Sequence, residues 1–361
     1  MIPVTKTFLP DFEDYANLLK GTWHSAILTN NGPLEKNLAT ALMATLDVPN
    51  IQLVANGTLA LQLAIKALDL QGEIITTPYS YVATTNAILW ENCTPVFVDV
   101  NEKNFCLEPD LIEAAITEKT SAILATHVYG YPCDVERIQQ IADHHNLKII
   151  YDAAHAFGVR INGQSVLRYG DCSTISFHAT KLFNTAEGGA VISANSAISK
   201  KIFLMGKFGH IGEDDYLELG INAKLSELHA AMGLAVLPLV NHNISARKQC
   251  SEWYDEFFEG ADLQRLQLND NFEYNYAYYP VIFKSHMAMM KSRAALNTLN
   301  IFPRRYFSPS LNTLPFLSPT LRRLCPVSES LAQRVLSLPL YDGLQRDDIE
   351  TIATCIIQVI Q

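Results

Sequence analysis

The chain has 361 residues, 48% of them hydrophobic and 18% charged, with a formal net charge of −10. That balance excludes a disordered chain, which cannot bury enough apolar surface to offset the entropy of ordering, and the length implies about two domains at roughly 150 residues each. The acidic sign excludes a general nucleic-acid binder, because phosphate backbones need clustered Lys and Arg, but it leaves room for one local anion pocket.

The opening Met1–Lys6 lacks the apolar core of a secretory signal. From about residue 50 to 195, short β-rich runs alternate with helical patterns. The runs are Ile51–Ala55, Glu73–Thr77, Pro95–Asp99, Ser121–Thr126, Lys148–Asp152, Cys172–Phe177 and Gly189–Ser193. The first five are nearly continuous in apolar residues, as strands buried on both faces are. Between them, Leu61, Ala64, Ile65 and Leu68, then Val135, Ile138, Ile141 and Ala142, recur at helical spacing, with Asp134 as N-cap of the second helix. This alternation predicts an α/β domain around a mostly parallel sheet. The longest apolar stretch, Ala230–Val240, is about half the roughly 20 residues a membrane span needs and contains Pro238. Beyond residue 240, helical stretches at Ser245–Phe258 and Ala288–Leu299 and a strand-like Tyr276–Phe283 predict a smaller α+β domain. The expected division is 1–240 and 241–361. The seven cysteines are scattered and form no CxxC pair, so neither a disulfide framework nor a zinc site is expected. The ten histidines form no HxxxH pair, so no metal centre is expected either. A reducing cytoplasm is the expected location.

Open α/β sheets bind ligands outside the carboxyl ends of their strands. The first run ends in Ala55-Asn56-Gly57-Thr58 and passes straight into the helix Leu59–Leu70. That is either a turn with Thr58 as N-cap, or a phosphate cradle of free N–H groups, a hydroxyl and the helix dipole. The absence of GxGxxG and GxxxxGK[ST] argues against dinucleotide-fold and Walker-type sites. The fifth run ends in Asp152-Ala153-Ala154-His155, where Asp152 either caps a turn or reaches a ligand. The sixth leads through Ser176, Phe177 and His178 to Lys181, which is either a solvated surface charge or a desolvated amine nucleophile. Tyr81, in the segment after the second run, is either core or a shelf for a flat ring. A phosphate cradle, a carboxylate, a lysine and an aromatic shelf are together the parts that hold pyridoxal 5′-phosphate.

With these residues in view, the chain resembles the DegT-type nucleotide-sugar aminotransferases, a branch of the fold-type I pyridoxal-phosphate enzymes. The resemblance covers essentially the whole chain. It is carried by LTNNGP (Leu28–Pro33), NGT (Asn56–Thr58), TTPYSYVAT (Thr76–Thr84), PVFVDV (Pro95–Val100), HVYG (His127–Gly130) and DAAHAFG (Asp152–Gly158). It continues through SFHATK (Ser176–Lys181), EGG (Glu187–Gly189), GINAKLSE (Gly220–Glu227), PRRYF (Pro303–Phe307) and LPLYDGL (Leu338–Leu344).

The resemblance implies an aspartate-aminotransferase-like fold, with a large domain built on a mostly parallel seven-stranded sheet and a small α+β C-terminal domain. It implies pyridoxal 5′-phosphate as cofactor, with Gly57, Thr58 and Ser176 on its phosphate. Tyr81 would lie on the ring, Asp152 at the ring nitrogen, and His155 by the ring face or hydroxyl edge. Lys181 would be the covalent attachment point and catalytic base. His178 would border the sugar, and Arg304 and Arg305 are candidates for the substrate's phosphates, their alternative being solvated loop charges. Asn222 would reach the cofactor phosphate of a neighbouring subunit, which requires a homodimer. Lysine at 181, where sugar dehydratases of the family carry histidine, implies transamination from L-glutamate to a keto-sugar. The histidines at 155 and 178 resemble members that aminate carbon 4 of 4-keto-6-deoxy sugars; members acting at carbon 3 more often show glutamine at the first position. LTNNGP and PRRYF look most similar to enzymes making dTDP-4-amino-4,6-dideoxyglucose for O-antigens and related glycans. The acidic net charge then implies a locally cationic pocket, built from Lys181, helix dipoles, Arg304 and Arg305. A non-catalytic sensor or scaffold on the same fold is the alternative of a different class.

Overall fold

The computed structural model describes residues 1–268 and 271–361. Two helices, α1 (Phe12–Ser25) and α2 (Pro33–Leu46), precede the first strand. All seven expected runs form strands of one sheet: β1 (Ile51–Val54), β2 (Glu73–Thr76), β3 (Thr94–Phe97), β4 (Thr120–Thr126), β5 (Lys148–Asp152), β6 (Cys172–Ser176) and β7 (Gly189–Ile192). Their spatial order is β1-β7-β6-β5-β4-β2-β3. Strands β2 to β6 pair in parallel, and β7 runs antiparallel to both neighbours.

The continuous apolar runs follow from burial on both faces. Ile75 and Ile149 enter one core with Ile138 and Ile141 of α5 (Val135–His145). Their chain neighbours Ile74 and Ile150 enter the opposite core with Leu61, Ala64 and Ile65 of α3 (Gly57–Ala67). Successive residues of a strand point to opposite faces, so a strand covered by helices on both sides needs apolar residues at every position. Asp134 caps α5, accepting from the Arg137 N–H at 3.0 Å, as the sequence predicts. The cap of α3 differs from expectation. Asn56 has the extended N-cap backbone and accepts from the Leu59 N–H at 2.9 Å, so Thr58 lies within the first turn. Three more helices complete this part: α4 (Ala83–Trp90), α6 (Ser196–Met205) and α7 (Glu227–Val236).

The remainder holds α8 (Val240–Phe257), β8 (Gln264–Arg265), β9 (Tyr279–Ile282), α9 (His286–Thr298), α10 (Pro326–Arg334), β10 (Val335–Leu338) and α11 (Arg346–Ile360). β8, β9 and β10 make an antiparallel sheet whose core joins Tyr254, Phe258, Val281, Leu338, Ile352 and Ile356. Ile2–Pro3 pairs in parallel with Ile301–Phe302, so the start of the chain sits with this second core. Phe307, Leu331 and Val335 pack in turn with Tyr79 and Tyr129 of the first part. That shared layer holds the C-terminal elements against the strand ends of the large sheet. All seven cysteines are free thiols, six of them buried. No helix among the described residues is long and apolar enough to cross a membrane.

Candidate active site

A cavity of about 300 Å³ lies outside the carboxyl ends of β1, β5 and β6. Gly57, Thr58, Tyr81, Asp152, His155, Ser176, His178 and Lys181 all line it. Eight residues expected from their place at strand ends therefore converge on one space.

On one side stands the first turn of α3. With Asn56 capping through Leu59, the Gly57 and Thr58 N–H groups have no intrahelical partner and carry the positive end of the helix dipole. Ser176 at the end of β6 presses against this turn: a Cβ built on Gly57 would stand 2.9 Å from the Ser176 Cβ. No side chain fits there, so bare backbone and two hydroxyls face the cavity, which suits a phosphate.

Asp152 is the last residue of β5 and is only 5% exposed. Its Oδ1 accepts from the Ala154 N–H at 3.1 Å and its Oδ2 from the Thr84 hydroxyl at 2.7 Å. Behind Thr84 runs a buried chain of hydroxyls, Thr84 to Ser80 at 2.9 Å and Ser80 to Thr126 at 3.2 Å. Since Thr84 donates to Asp152, Ser80 must donate to Thr84 and Thr126 to Ser80. Burial raises the Asp152 carboxyl above its ordinary pKa, against the pull of the Thr84 and Ala154 hydrogen bonds and the Lys181 charge. A cationic ring N–H would relieve that cost, since an opposite charge favours the ionised carboxylate.

His155 is buried and neutral. Desolvation holds its pKa well down, and the charges of Lys181 and His127 add to this. Its Nδ1 accepts from the Tyr129 N–H at 3.2 Å, so the proton sits on Nε2. The Phe307 ring stacks on it with centroids 5.4 Å apart. Tyr81 stands at the mouth, 60% exposed. His178 is also exposed, with Nδ1 2.8 Å from the Thr180 hydroxyl and Nε2 3.6 Å from Glu187 Oε1. Lys181 is partly buried, and its Nζ donates to the Tyr278 hydroxyl at 3.3 Å.

Two expected residues, Arg304 and Arg305, are not brought to this cavity, and Asn222, expected to reach the site of a neighbouring subunit, does not line it either. Asn222 is exposed, its backbone bridged to Lys207. Arg304 pairs through its backbone with Ser337 and is exposed, outside the lining of the cavity. Arg305 donates to the Ala332 carbonyl of α10 at 2.8 Å. Neither arginine is among the residues that line this cavity. The lining holds one lysine, two carboxylates (Asp152 and Glu187) and two histidines, so positive character comes from Lys181 and α3 alone. Conversely, Ser80, Tyr278, Tyr306 and Phe307 line the cavity beyond expectation, and Thr84 and Thr126 support it. Ser80 and Thr84 stand inside TTPYSYVAT, and Tyr306 and Phe307 inside PRRYF, whereas Tyr278 had only a strand-like run to mark it.

A cradle with no room for a Cβ, a buried carboxylate short of a cation and a lysine amine facing one space fit pyridoxal 5′-phosphate. The comparisons agree. The family model described as DegT/DnrJ/EryC1/StrS aminotransferase family matches residues 11–357. A dTDP-4-amino-4,6-dideoxy-D-glucose transaminase of Escherichia coli is 38% identical over 366 aligned positions, covering 99% of this chain and 98% of the relative. A GDP-perosamine synthase of Vibrio cholerae is 30% identical, again over 99% and 98% of the two chains. The crystal structure of DesI with its TDP-sugar product superposes with a TM-score of 0.94 at 30% identity, covering 99% of this chain and 92% of that one. This chain belongs to the DegT/DnrJ/EryC1/StrS aminotransferase family, whose members depend on pyridoxal 5′-phosphate.

Proposed function

We propose that this aminotransferase moves the amino group of L-glutamate to carbon 4 of a nucleotide-linked 4-keto-6-deoxy sugar, dTDP-4-keto-6-deoxyglucose, giving dTDP-4-amino-4,6-dideoxyglucose for O-antigen or related glycan synthesis. The observation that carries this reading is the convergence of Asp152 and Lys181 on one cavity beside the start of α3, in a chain 38% identical to transaminases of that product.

Pyridoxal 5′-phosphate, when bound, supplies an electron-withdrawing ring that stabilises negative charge at the carbon bearing the amine. The Gly57 and Thr58 N–H groups, the Thr58 hydroxyl and Ser176 would hold its phosphate. Asp152, fixed by Thr84 and Ala154, would keep a proton on the ring nitrogen. Tyr81 at the mouth and His155, backed by Phe307, would bound the ring of the cofactor. Lys181 Nζ takes the proton from the amine-bearing carbon of glutamate and returns it in the opposite sense on the sugar. Holding this base beside the reacting carbon turns a collision into an intramolecular transfer. 2-Oxoglutarate would leave before the keto-sugar enters, with the amino group retained on the bound cofactor until the sugar accepts it, so the kinetics would be ping-pong. His178 borders the sugar.

A homodimer in the cytoplasm completes the proposal. The segment around Asn222 exposes Phe208, Ile211, Tyr216, Leu217, Leu219 and Ile221, an apolar surface that a second copy would cover. Lys36, Lys207 and Lys224 line an open groove beside it and would bring Asn222 and cations to a partner's site. Seven free thiols suit a reducing compartment.

The test is turnover of purified protein with glutamate against dTDP-, UDP- and GDP-linked keto-sugars, with the aminated carbon read by NMR. A dTDP product aminated at carbon 4 is expected; amination at carbon 3, or no amino-sugar from any of the keto-sugars, overturns the assignment. Lys181→Ala should abolish turnover while the protein stays folded. Borohydride trapping followed by peptide mapping should label Lys181.

A further inference from the structure

The amine of Lys181 makes one hydrogen bond among the described residues, to the hydroxyl of Tyr278 at 3.3 Å. The dependence is mutual, since among the described residues that hydroxyl has Lys181 as its hydrogen-bond partner and no other. The ring that carries it is held independently of the lysine. It stands edge-on to His155 (centroids 4.9 Å, 70°), perpendicular to Tyr306 (5.7 Å, 90°) and tilted on Tyr129 (5.6 Å, 57°).

The backbone leading to Tyr278 is clamped as well. Buried Asn275 donates from Nδ2 to the carbonyls of His155 and Phe157 at 2.8 and 2.9 Å, and its Oδ1 accepts from the Ala277 N–H at 3.1 Å. Arg247 of α8 donates to the Ala277 carbonyl at 3.1 Å. The loop after β5, which carries His155, is thereby tied to the segment that delivers Tyr278. A phenyl ring would fill this wall equally well by shape, so the hydroxyl needs its own explanation.

We propose that Tyr278 is a positioning residue for Lys181: its hydroxyl holds the lysine amine at one wall of the cavity whenever that amine is not bonded to the cofactor. Proton transfer then starts from a fixed geometry. A free lysine loses rotamer entropy on being fixed, and a base misplaced by about 1 Å costs on the order of a hundredfold in rate. A rigid hydroxyl meets both costs before the substrate arrives. The inference rests on the proposed role of Lys181 as base.

The test is Tyr278→Phe, which keeps the three ring contacts and removes only the hydroxyl. The expected result is KM for glutamate and keto-sugar within about twofold of wild type, with kcat about 10- to 100-fold lower. A second readout needs no turnover. Cofactor-free protein is treated with an amine-selective reagent, and Lys181 modification is followed by peptide mapping. Losing the hydrogen bond that holds the amine should speed labelling of Lys181 in Tyr278→Phe by up to about tenfold, with other lysines unchanged. Wild-type kcat in Tyr278→Phe overturns the proposal, as does unchanged labelling. So does a loss in Tyr278→Ala that Tyr278→Phe does not share, because that assigns the ring and not the hydroxyl. If wild type aminates no keto-sugar while labelling still differs, the proposed function fails and the tether survives. If wild type transaminates and labelling does not differ, the tether alone fails.

Discussion

Two regions of this molecule bury carboxylates, and they do so for different ends. At the end of β5, Asp152 has both oxygens engaged by donors, faces a cavity and shares it with Lys181. At the joint between α2 and α7, Glu227 accepts from the Leu34 and Glu35 N–H groups at 2.8 and 2.9 Å, capping a helix whose own N-cap, Gly32, has no side chain to do so. Beside it, Glu35 is 4% exposed, and its Oε2 has no hydrogen-bond partner. Burial pushes the Glu35 carboxyl up to about 7, and the Glu227 charge adds to this; the Asn31 backbone and the two lysines Lys36 and Lys224 pull the other way. Burial alone therefore does not mark an active carboxylate. The two regions differ in the neighbour: Asp152 faces a space that takes a cation, whereas Glu35 faces another acid.

The widest separation should come from Asp152→Asn. If Asp152 has the proposed role at the ring nitrogen, losing its charge should lower kcat/KM by about 10³-fold, with little change in the urea midpoint of unfolding. A large stability loss with modest kinetics would put Asp152 in the same class as Glu227. Next in size is Glu227→Ala, which strips two acceptors from the first turn of α2. It should cost about 2–3 kcal/mol in urea unfolding, with turnover per folded site little changed. Loss of turnover at full stability would break the comparison from the other side.

The smallest effect belongs to Glu35, and its sign is set by linkage. Its pKa is about 7 in the fold against an ordinary 4.5, so between those values the native chain binds a proton that the unfolded chain does not. Stability therefore falls as pH rises through that window and levels off above it. Glu35→Gln should flatten the decline and raise stability on the alkaline side, as read by urea melts across the range. An unchanged pH slope would show that Glu35 is charged in the fold.

The floor of the site was legible because each of its residues sits where a buried strand ends. Runs such as Ile74–Ile75 and Ile149–Ile150 mark strands covered on both faces, and the residues just past such a run must lie at the sheet edge. The rim was less legible. Asn56 and Thr58 are both good capping residues, and only the extended backbone at Asn56 (φ −168°, ψ 167°) chose between them. Arg304 and Arg305 had the right charge in a plausible loop. Backbone pairing of Arg304 with Ser337 and the bond from Arg305 to the Ala332 carbonyl, neither visible in local pattern, go with their place outside the cavity lining. Tyr278 is one of four tyrosines between residues 274 and 279, and Asn275 decides which of them meets the lysine.

By itself, the sequence determined the succession of strands and helices and the chemistry standing at each strand end. Both are set by periodicity and by residue type over a few positions, where burial and backbone geometry act locally. The tertiary structure alone decided which groups share one space. Lys181 and Tyr278 are 97 residues apart in the chain and 3.3 Å apart in space. A contact of that kind depends on how the C-terminal sheet is clamped to the loop after β5, and no local pattern carries that information.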